Sequence, residues 1–260
     1  MAYLSHKELY YFLEEKHALY NRTSFIEADP VSIPHLFSKK EDIEIAGFFA
    51  ATIAWGQRST ILNNANKLMR WMDLSPHDFI LHHTPKDLKP FKSFVHRTFN
   101  GIDCLYFIAS LRNVYLHHHG IHGVFVKNTF PEDESLEKAI IAFRTIFFET
   151  TFPHRTQKHV SNPGDNSAAK RLNMYLRWMI RNDKRGVDFG LWKEIKASQL
   201  SCPLDVHSGR VARNLGLLKR QQNDWKAVVE LTRSLKQFDP KDPVKYDFSL
   251  FGLGVNEKFK

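Results

Sequence analysis

The chain has 260 residues, 43% of them hydrophobic, enough to bury the core of one large or two smaller helical lobes. Its 37 Lys and Arg against 28 Asp and Glu give a formal net charge of +9, which favours a polyanionic partner because basic side chains displace counterions from phosphates. Only two cysteines, Cys104 and Cys202, argue against a disulfide framework or a cysteine-rich metal centre, and no apolar run is long enough for a signal peptide or a membrane span, so a soluble cytoplasmic protein is expected.

Helical periodicity dominates, with no run of alternating strands and hairpin turns, so the expected class is all-α. Ser5 can cap a helix running to about Tyr20, and residues 29–37, with Pro30 and Pro34, form a connector. Ser38 then starts a helix with Ile43, Ile45, Phe48, Phe49 and Ile53 as its apolar positions. Trp55-Gly56-Gln57-Arg58 interrupts that pattern, and Ile61, Leu62, Ala65, Leu68 and Met69 define the helix after it. Ser75-Pro76 is a cap followed by proline at the first helical position. Residues 103–117 and 135–149 are amphipathic helices, and residues 150–167 are polar and turn-rich.

A helix is expected over residues 168–180, then a loop around Gly186 and a short helix near Leu191. Asp205 opens the next helix, which ends near Gly216; Asn223 or Asp224 caps another through Phe238. Asp242-Pro243 begins the last helix, where Gly252 and Gly254 allow close packing against the Asp205 helix. No repeat, low-complexity tract or clear linker is present, so residues 1–260 read as one unit and the polar stretch near residue 160 as a functional loop. The run His117-His118-His119 with His122, and the pair His82-His83, lack carboxylates at ligand spacing and read as solvated helix ends; no metal or other cofactor is expected. Trp71, Trp178, Trp192 and Trp225 fit helical packing.

Residues 203–217, PLDVHSGRVARNLGL, carry the functional inference. Asp205 stands where a loop becomes a helix, so its carboxylate can accept amide hydrogens or stay poised at the positive helix end. Val206, Gly209, Val211 and Leu215 can face the core, with His207 and Arg210 as polar groups on the first turns. Taken alone, Asp205 reads more readily as an ordinary helix cap than as a reactive group.

The whole string resembles the helix-hairpin-helix DNA glycosylase superfamily, whose essential aspartate lies in a Val/Pro-x-Asp-x-His-x-x-Arg-Val segment. Asp205, His207, Arg210 and Val211 fall on that pattern. Trp55-Gly56-Gln57-Arg58 resembles the family's glutamine-bearing helix junction, and Lys170, after a Pro-Gly turn, resembles the lysine of its bifunctional members. The chain is also similar to a bacterial family of hypothetical proteins, and among characterised enzymes it leans toward archaeal 8-oxoguanine glycosylases. The resemblance covers residues 40–70 and 160–255. It departs from the family at Pro163-Gly164-Asp165-Asn166-Ser167, where the usual Leu-Pro-Gly-x-Gly hairpin would carry a second glycine. It departs again in an insertion around residues 183–192, and no iron–sulfur ligand set follows the last helix.

The resemblance implies a two-lobed helical fold with a DNA cleft between the lobes, and a catalytic segment over residues 160–217. The implied activity is excision of a flipped, damaged or mispaired base from double-stranded DNA by a monomer associated with the nucleoid. Asp205 would stabilise the positive charge that builds on deoxyribose as the base leaves, and a neutral Lys170 could attack C1′ and form an imine, the route to AP-lyase cleavage. Gln57 and Arg58 would fill the vacated space or hold the opposite base. Asn166, Ser167, Arg171, His207 and Arg210 would contact DNA around the hairpin and the Asp205 helix. Read from the residues alone, Lys170-Arg171 is also a plain helix start, Gln57-Arg58 a polar turn, His207 a packing histidine and Arg210 a loop brace. The competing functional readings are a DNA- or RNA-binding protein that keeps the fold without catalysis, and a helical protein–protein adaptor, which the charge disfavours.

Overall fold

The computed structural model describes residues 4–255 and 257. Among them eleven α-helices follow in order: α1 (His6–Tyr20), α2 (Lys40–Thr52), α3 (Arg58–Trp71), α4 (Pro76–His82), α5 (Gly101–His117), α6 (Gly120–Lys127), α7 (Glu137–Phe147), α8 (Lys170–Ile180), α9 (Val206–Asn214), α10 (Trp225–Lys236) and α11 (Asp247–Val255). The all-α expectation holds, and no described helix is long and apolar enough to cross a membrane. The helices divide between two compact units. The first holds the described residues up to Phe25, then Glu132–Leu136 and those from Asn162 onward; the second holds Ile26–Pro131 and Glu137–Ser161.

In the second unit, α2 is buried on nearly every side, as its run of Ile43, Ile45, Phe48 and Phe49 requires. Phe48 and Phe107 stack at 5.6 Å, Phe107 meets Phe147 edge-on at 4.8 Å, and Phe125 stacks on Phe143 at 5.1 Å, which ties α2, α5, α6 and α7 into one aromatic core. α2 begins at Lys40 rather than Ser38, with Glu41 and Asp42 in its first turn, where the helix dipole favours negative charge. α4 opens at Pro76 as expected, although the Ser75 side chain makes no capping bond. α7 is shorter than the expected 135–149 segment.

One small hairpin departs from the helical expectation: β1 (Val95–His96) pairs antiparallel with β2 (Phe99–Asn100). Two residues per strand carry too little alternation to register as a sequence pattern. The hairpin is held from below, because Phe99 is fully buried and the His96 ring bonds the Trp55 carbonyl at 3.0 Å and Asn64 Nδ2 at 2.9 Å.

In the first unit, α1 starts with a capping box in which the Ser5 hydroxyl accepts from the Glu8 amide and the Glu8 carboxylate accepts from the Ser5 amide. α11 packs against both α1 and α9, and its two glycines serve different neighbours. A Cβ on Gly252 would lie 2.1 Å from Tyr20 Cδ2 of α1, whereas one on Gly254 would lie 3.1 Å from His207 Cβ of α9. Only Gly254 therefore does what both were expected to do.

Residues 182–196 form no helix, contrary to the short helix expected near Leu191. Their backbone is spent on ending α8. The Phe189 amide donates to the Trp178 carbonyl at 2.8 Å, and the Leu191 and Trp192 amides donate to the Met179 carbonyl at 2.7 and 3.1 Å. The segment thus satisfies carbonyls that a helix end leaves open, and Trp192 is buried against Tyr175 at 5.7 Å.

Candidate active site

Asp205 is delivered by a buried extended segment, Ser201 to Leu204, whose Cys202 amide donates to Thr232 Oγ1 of α10 at 3.0 Å. Its backbone is extended and its side chain caps α9. Oδ1 accepts from the His207 amide at 2.8 Å and the Ser208 amide at 3.0 Å, while Ser208 Oγ accepts from the Asp205 amide at 2.9 Å. Asn223 Nδ2 donates to the Asp205 carbonyl at 3.0 Å, and Asn223 reaches it because Gly209 has no Cβ; one there would lie 2.8 Å from Asn223 Oδ1. Arg213 in turn holds Asn223 Oδ1 at 2.6 Å. The carboxylate is therefore clamped through one oxygen, and the other is turned toward Lys170, with 3.7 Å between Lys170 Nζ and Asp205 Oδ2.

Lys170 is the first residue of α8 and follows the Pro163 turn. Asn162 Oδ1 accepts from the Gly164 amide at 3.0 Å, and the Ser167 amide returns to the Asn162 carbonyl at 3.2 Å. Asn166 stands where the resembled family has its second glycine, and it takes the left-handed conformation, φ 61° and ψ 23°. Asparagine tolerates that region better than other side chains, so the missing glycine leaves the turn intact. The turn docks on the start of α10: the Trp225 amide donates to the Asn166 carbonyl at 3.1 Å, and Asn166 Nδ2 donates to Asp224 Oδ2 at 3.0 Å. Asp224 also caps α10 through the Ala227 amide at 3.0 Å, and its bond to Arg220 above all holds its carboxyl far below the usual range. α8 itself has no side-chain cap, because Ala169, with φ 45°, precedes it.

Lys170 and Asp205 are each about a quarter exposed (26% and 27%), and the ammonium also lies 3.7 Å from Met174 Sδ one turn along α8. Arg171 is partly buried, and burial lowers its guanidinium to about 10. On the exposed side, His207 and Arg210 face solvent, and the Arg210 guanidinium lies 3.4 Å from the Gly254 carbonyl. Val206 is 75% exposed rather than in the core, because the first position of α9 points away from α11; Gly209, Val211 and Ala212 form the packed face.

Beneath the pair lies a set of buried charges that sequence reasoning missed. Arg177 of α8 bonds the Asp247 carboxylate and donates to Asp188 Oδ1 at 3.2 Å, with its guanidinium 4.3 Å from the centre of the Phe248 ring. Arg181 donates to Asp188 at 3.0 Å, to Asp242 at 2.9 Å and to Asp183 at 2.8 Å. A signal was present: Lys170, Met174, Arg177 and Arg181 share one face of a helix, and cations on an otherwise buried helix require acidic partners.

In the second unit, Gln57 is the exposed residue preceding α3 and its side chain makes no capping bond. Arg58, partly exposed, stands 4.0 Å from Asp29 Oδ2. Gly56 adopts φ 106°, and a Cβ on it would lie 3.2 Å from Cδ of Arg97, the exposed residue at the hairpin tip. Among the described residues no group of histidines, cysteines or carboxylates has the arrangement of a metal site. His118 instead bonds Glu149 at 2.7 Å and His122 bonds Lys40 at 2.9 Å.

No curated protein and no solved structure matches the chain. A family model described as "Protein of unknown function (DUF2400)" matches residues 29–256, which includes Gln57, the Pro163 turn, Lys170, Asp205 and the buried charges behind them, and the chain belongs to that family.

Proposed function

We propose that this protein is a DNA base-excision glycosylase of the helix-hairpin-helix type with AP-lyase capacity. The observation that carries the reading is the meeting of Lys170 Nζ and Asp205 Oδ2 at 3.7 Å on two different helix starts. The chain's +9 charge and the lack of a side-chain cap at the start of α8 support a phosphate-backbone partner.

The chemistry follows from the pair. The target base leaves the stack at a cost of a few kcal/mol. As its N-glycosidic bond breaks, positive charge develops at C1′, and the free oxygen of Asp205 is the group that stabilises it. The Lys170 amine, once it has given up a proton, attacks C1′. Loss of the ring oxygen bond then leaves a protonated imine, from which removal of a C2′ proton expels the 3′ phosphate. Clamping of Oδ1 by two amides keeps the other oxygen in place without reorganisation.

The test is incubation with duplexes carrying 8-oxoguanine, uracil, alkylated bases or abasic sites in the presence of borohydride. A covalent adduct that disappears in Lys170→Gln, and base release that disappears in Asp205→Asn, support the reading. DNA binding that is salt-sensitive but indifferent to Asp205→Asn, with neither adduct nor base release on any substrate, replaces it with a binding protein.

A further inference from the structure

Asp247 opens α11 and is buried in the first unit. Its bonded partner is Arg177, seven residues along α8 from Lys170 and therefore on the same helix face. Gly254, two turns further along α11, is the point where that helix touches α9 at His207, so the face of α11 that carries Asp247 also carries the contact with the Asp205 helix. A carboxylate bonded to the helix that bears Lys170 thus lies on the face of α11 that packs against the Asp205 helix.

The charges bear this out. Burial raises Asp247 to about 6; the Arg177 and Lys170 cations pull against that rise, and the Asp205 carboxylate adds to it. Arg177 is pinned a second time by Asp188, and that aspartate by Arg181, so the carboxylate sits at the end of a fixed ionic chain. The other charged groups on the elements that pack on α11 are His6, Lys7, Glu8, Glu14, Glu15, Lys16 and His17 from α1, Lys245 from the turn before it, and His207, Arg210 and Arg213 from α9. Glu14 and Lys245 bond each other at 2.8 Å, and Lys16 bonds Glu257 at 2.8 Å.

We infer that Asp247 is a positioning residue: its carboxylate, held by Arg177, keeps a negative charge behind Lys170 that stabilises positive charge on the lysine nitrogen, first as ammonium and then as protonated imine. The second half of this statement rests on the glycosylase reading, whereas the first does not. The ionic chain makes the charge permanent at the pH where an amine reacts, and the insertion that carries Asp188 supplies its far end.

The experiment is competitive acetylation of Lys170 in the full chain, read by mass spectrometry across a pH series, for the native protein, Asp247→Asn and Asp247→Glu. Asn is isosteric and leaves Arg177 bonded to Asp188, so the fold is retained; a melting curve checks that. Removing one nearby negative charge moves the midpoint of Lys170 labelling to lower pH by about half a unit to one unit, and Asp247→Glu restores it. A midpoint that does not move in Asp247→Asn, or that moves equally in Asp247→Glu, overturns the inference. Borohydride trapping run on the same three proteins keeps the two claims apart. A native protein that traps nothing refutes the glycosylase reading, while the labelling series still decides the role of Asp247.

Discussion

Replacing Asp205 by Asn and by Ala separates the chemistry of this residue from its work as a helix cap. Its Oδ1 accepts two amide hydrogens at the start of α9, and its Oδ2 faces Lys170 at 3.7 Å. Ala removes both roles. Loss of an N-cap costs about 1 kcal/mol, and a partly exposed ion pair adds at most about 1 kcal/mol, so Asp205→Ala is expected to lose about 1.5 kcal/mol. For a chain of this size that lowers the melting temperature by about 3 to 6 °C. Asn keeps an oxygen in the Oδ1 position and caps as well as Asp, so it loses only what the charge contributes at the positive helix end and to the partly exposed Lys170 pair, about 0.5 kcal/mol in all, and melts within about 2 °C of the native protein. Thermal melts and borohydride trapping on the three proteins give the comparison. The expected result is a near-native melt with no base release for Asn, and a lowered melt with no base release for Ala. An Asn variant that melts as low as Ala, or one that still releases base, refutes the division of labour between the two oxygens.

Two further outcomes follow from the same geometry. Asn166→Gly retains the left-handed turn, whereas Asn166→Ala strains it and both lose the bond to Asp224; Ala is expected to cost about 1 kcal/mol more than Gly in urea unfolding. His17 is held down to about 4, chiefly by burial and then by the Arg181, Arg185 and Lys245 charges, so the unfolded chain takes up more protons and stability falls as pH drops from 6.5 toward 4. Asp247, raised to about 6, works the other way: the folded chain holds more protons between 6 and 3.8, so stability rises as pH falls through that window. Each amounts to roughly 3 kcal/mol at full extent. Because the two oppose each other, the native urea midpoints at pH 7 and pH 5 are expected to lie close together, whereas at pH 5 the midpoint rises relative to pH 7 in His17→Gln and falls in Asp247→Asn.

What the sequence made legible was local. The cap at Asp205 was readable because a Pro-Leu-Asp stretch precedes a run at helical spacing, and the Ser5 and Asp224 caps were readable for the same reason. The meeting of Lys170 with Asp205 came from the resemblance rather than from spacing, since nothing in residues 171–204 dictates that two helix starts converge. Buried pairs such as Arg177 with Asp247 and Arg181 with Asp242 join residues some sixty or more positions apart, and each partner alone looks like an ordinary surface charge. The helix expected near Leu191 is absent for a plain reason: the amides there bond the carbonyls at the end of α8, a use that periodicity does not register. Gly252 was read correctly as a point of close approach, but the neighbour is Tyr20, brought in from the far end of the chain.

The segment over residues 182–196 has the look of a loop that could be trimmed, being without helix or strand. Its ionic role makes it indispensable. Asp183 and Asp188 are partners of two arginines that are themselves almost fully enclosed, and a shortened chain would leave each guanidinium in a dry interior with a single carboxylate, Asp247 for Arg177 and Asp242 for Arg181. Breaking a buried pair from one side costs about 3 to 5 kcal/mol, so deletion of this stretch would weigh on the fold like the loss of several core side chains. Natural or engineered variants of this length class are therefore expected to lose the arginines and the segment together or to keep both.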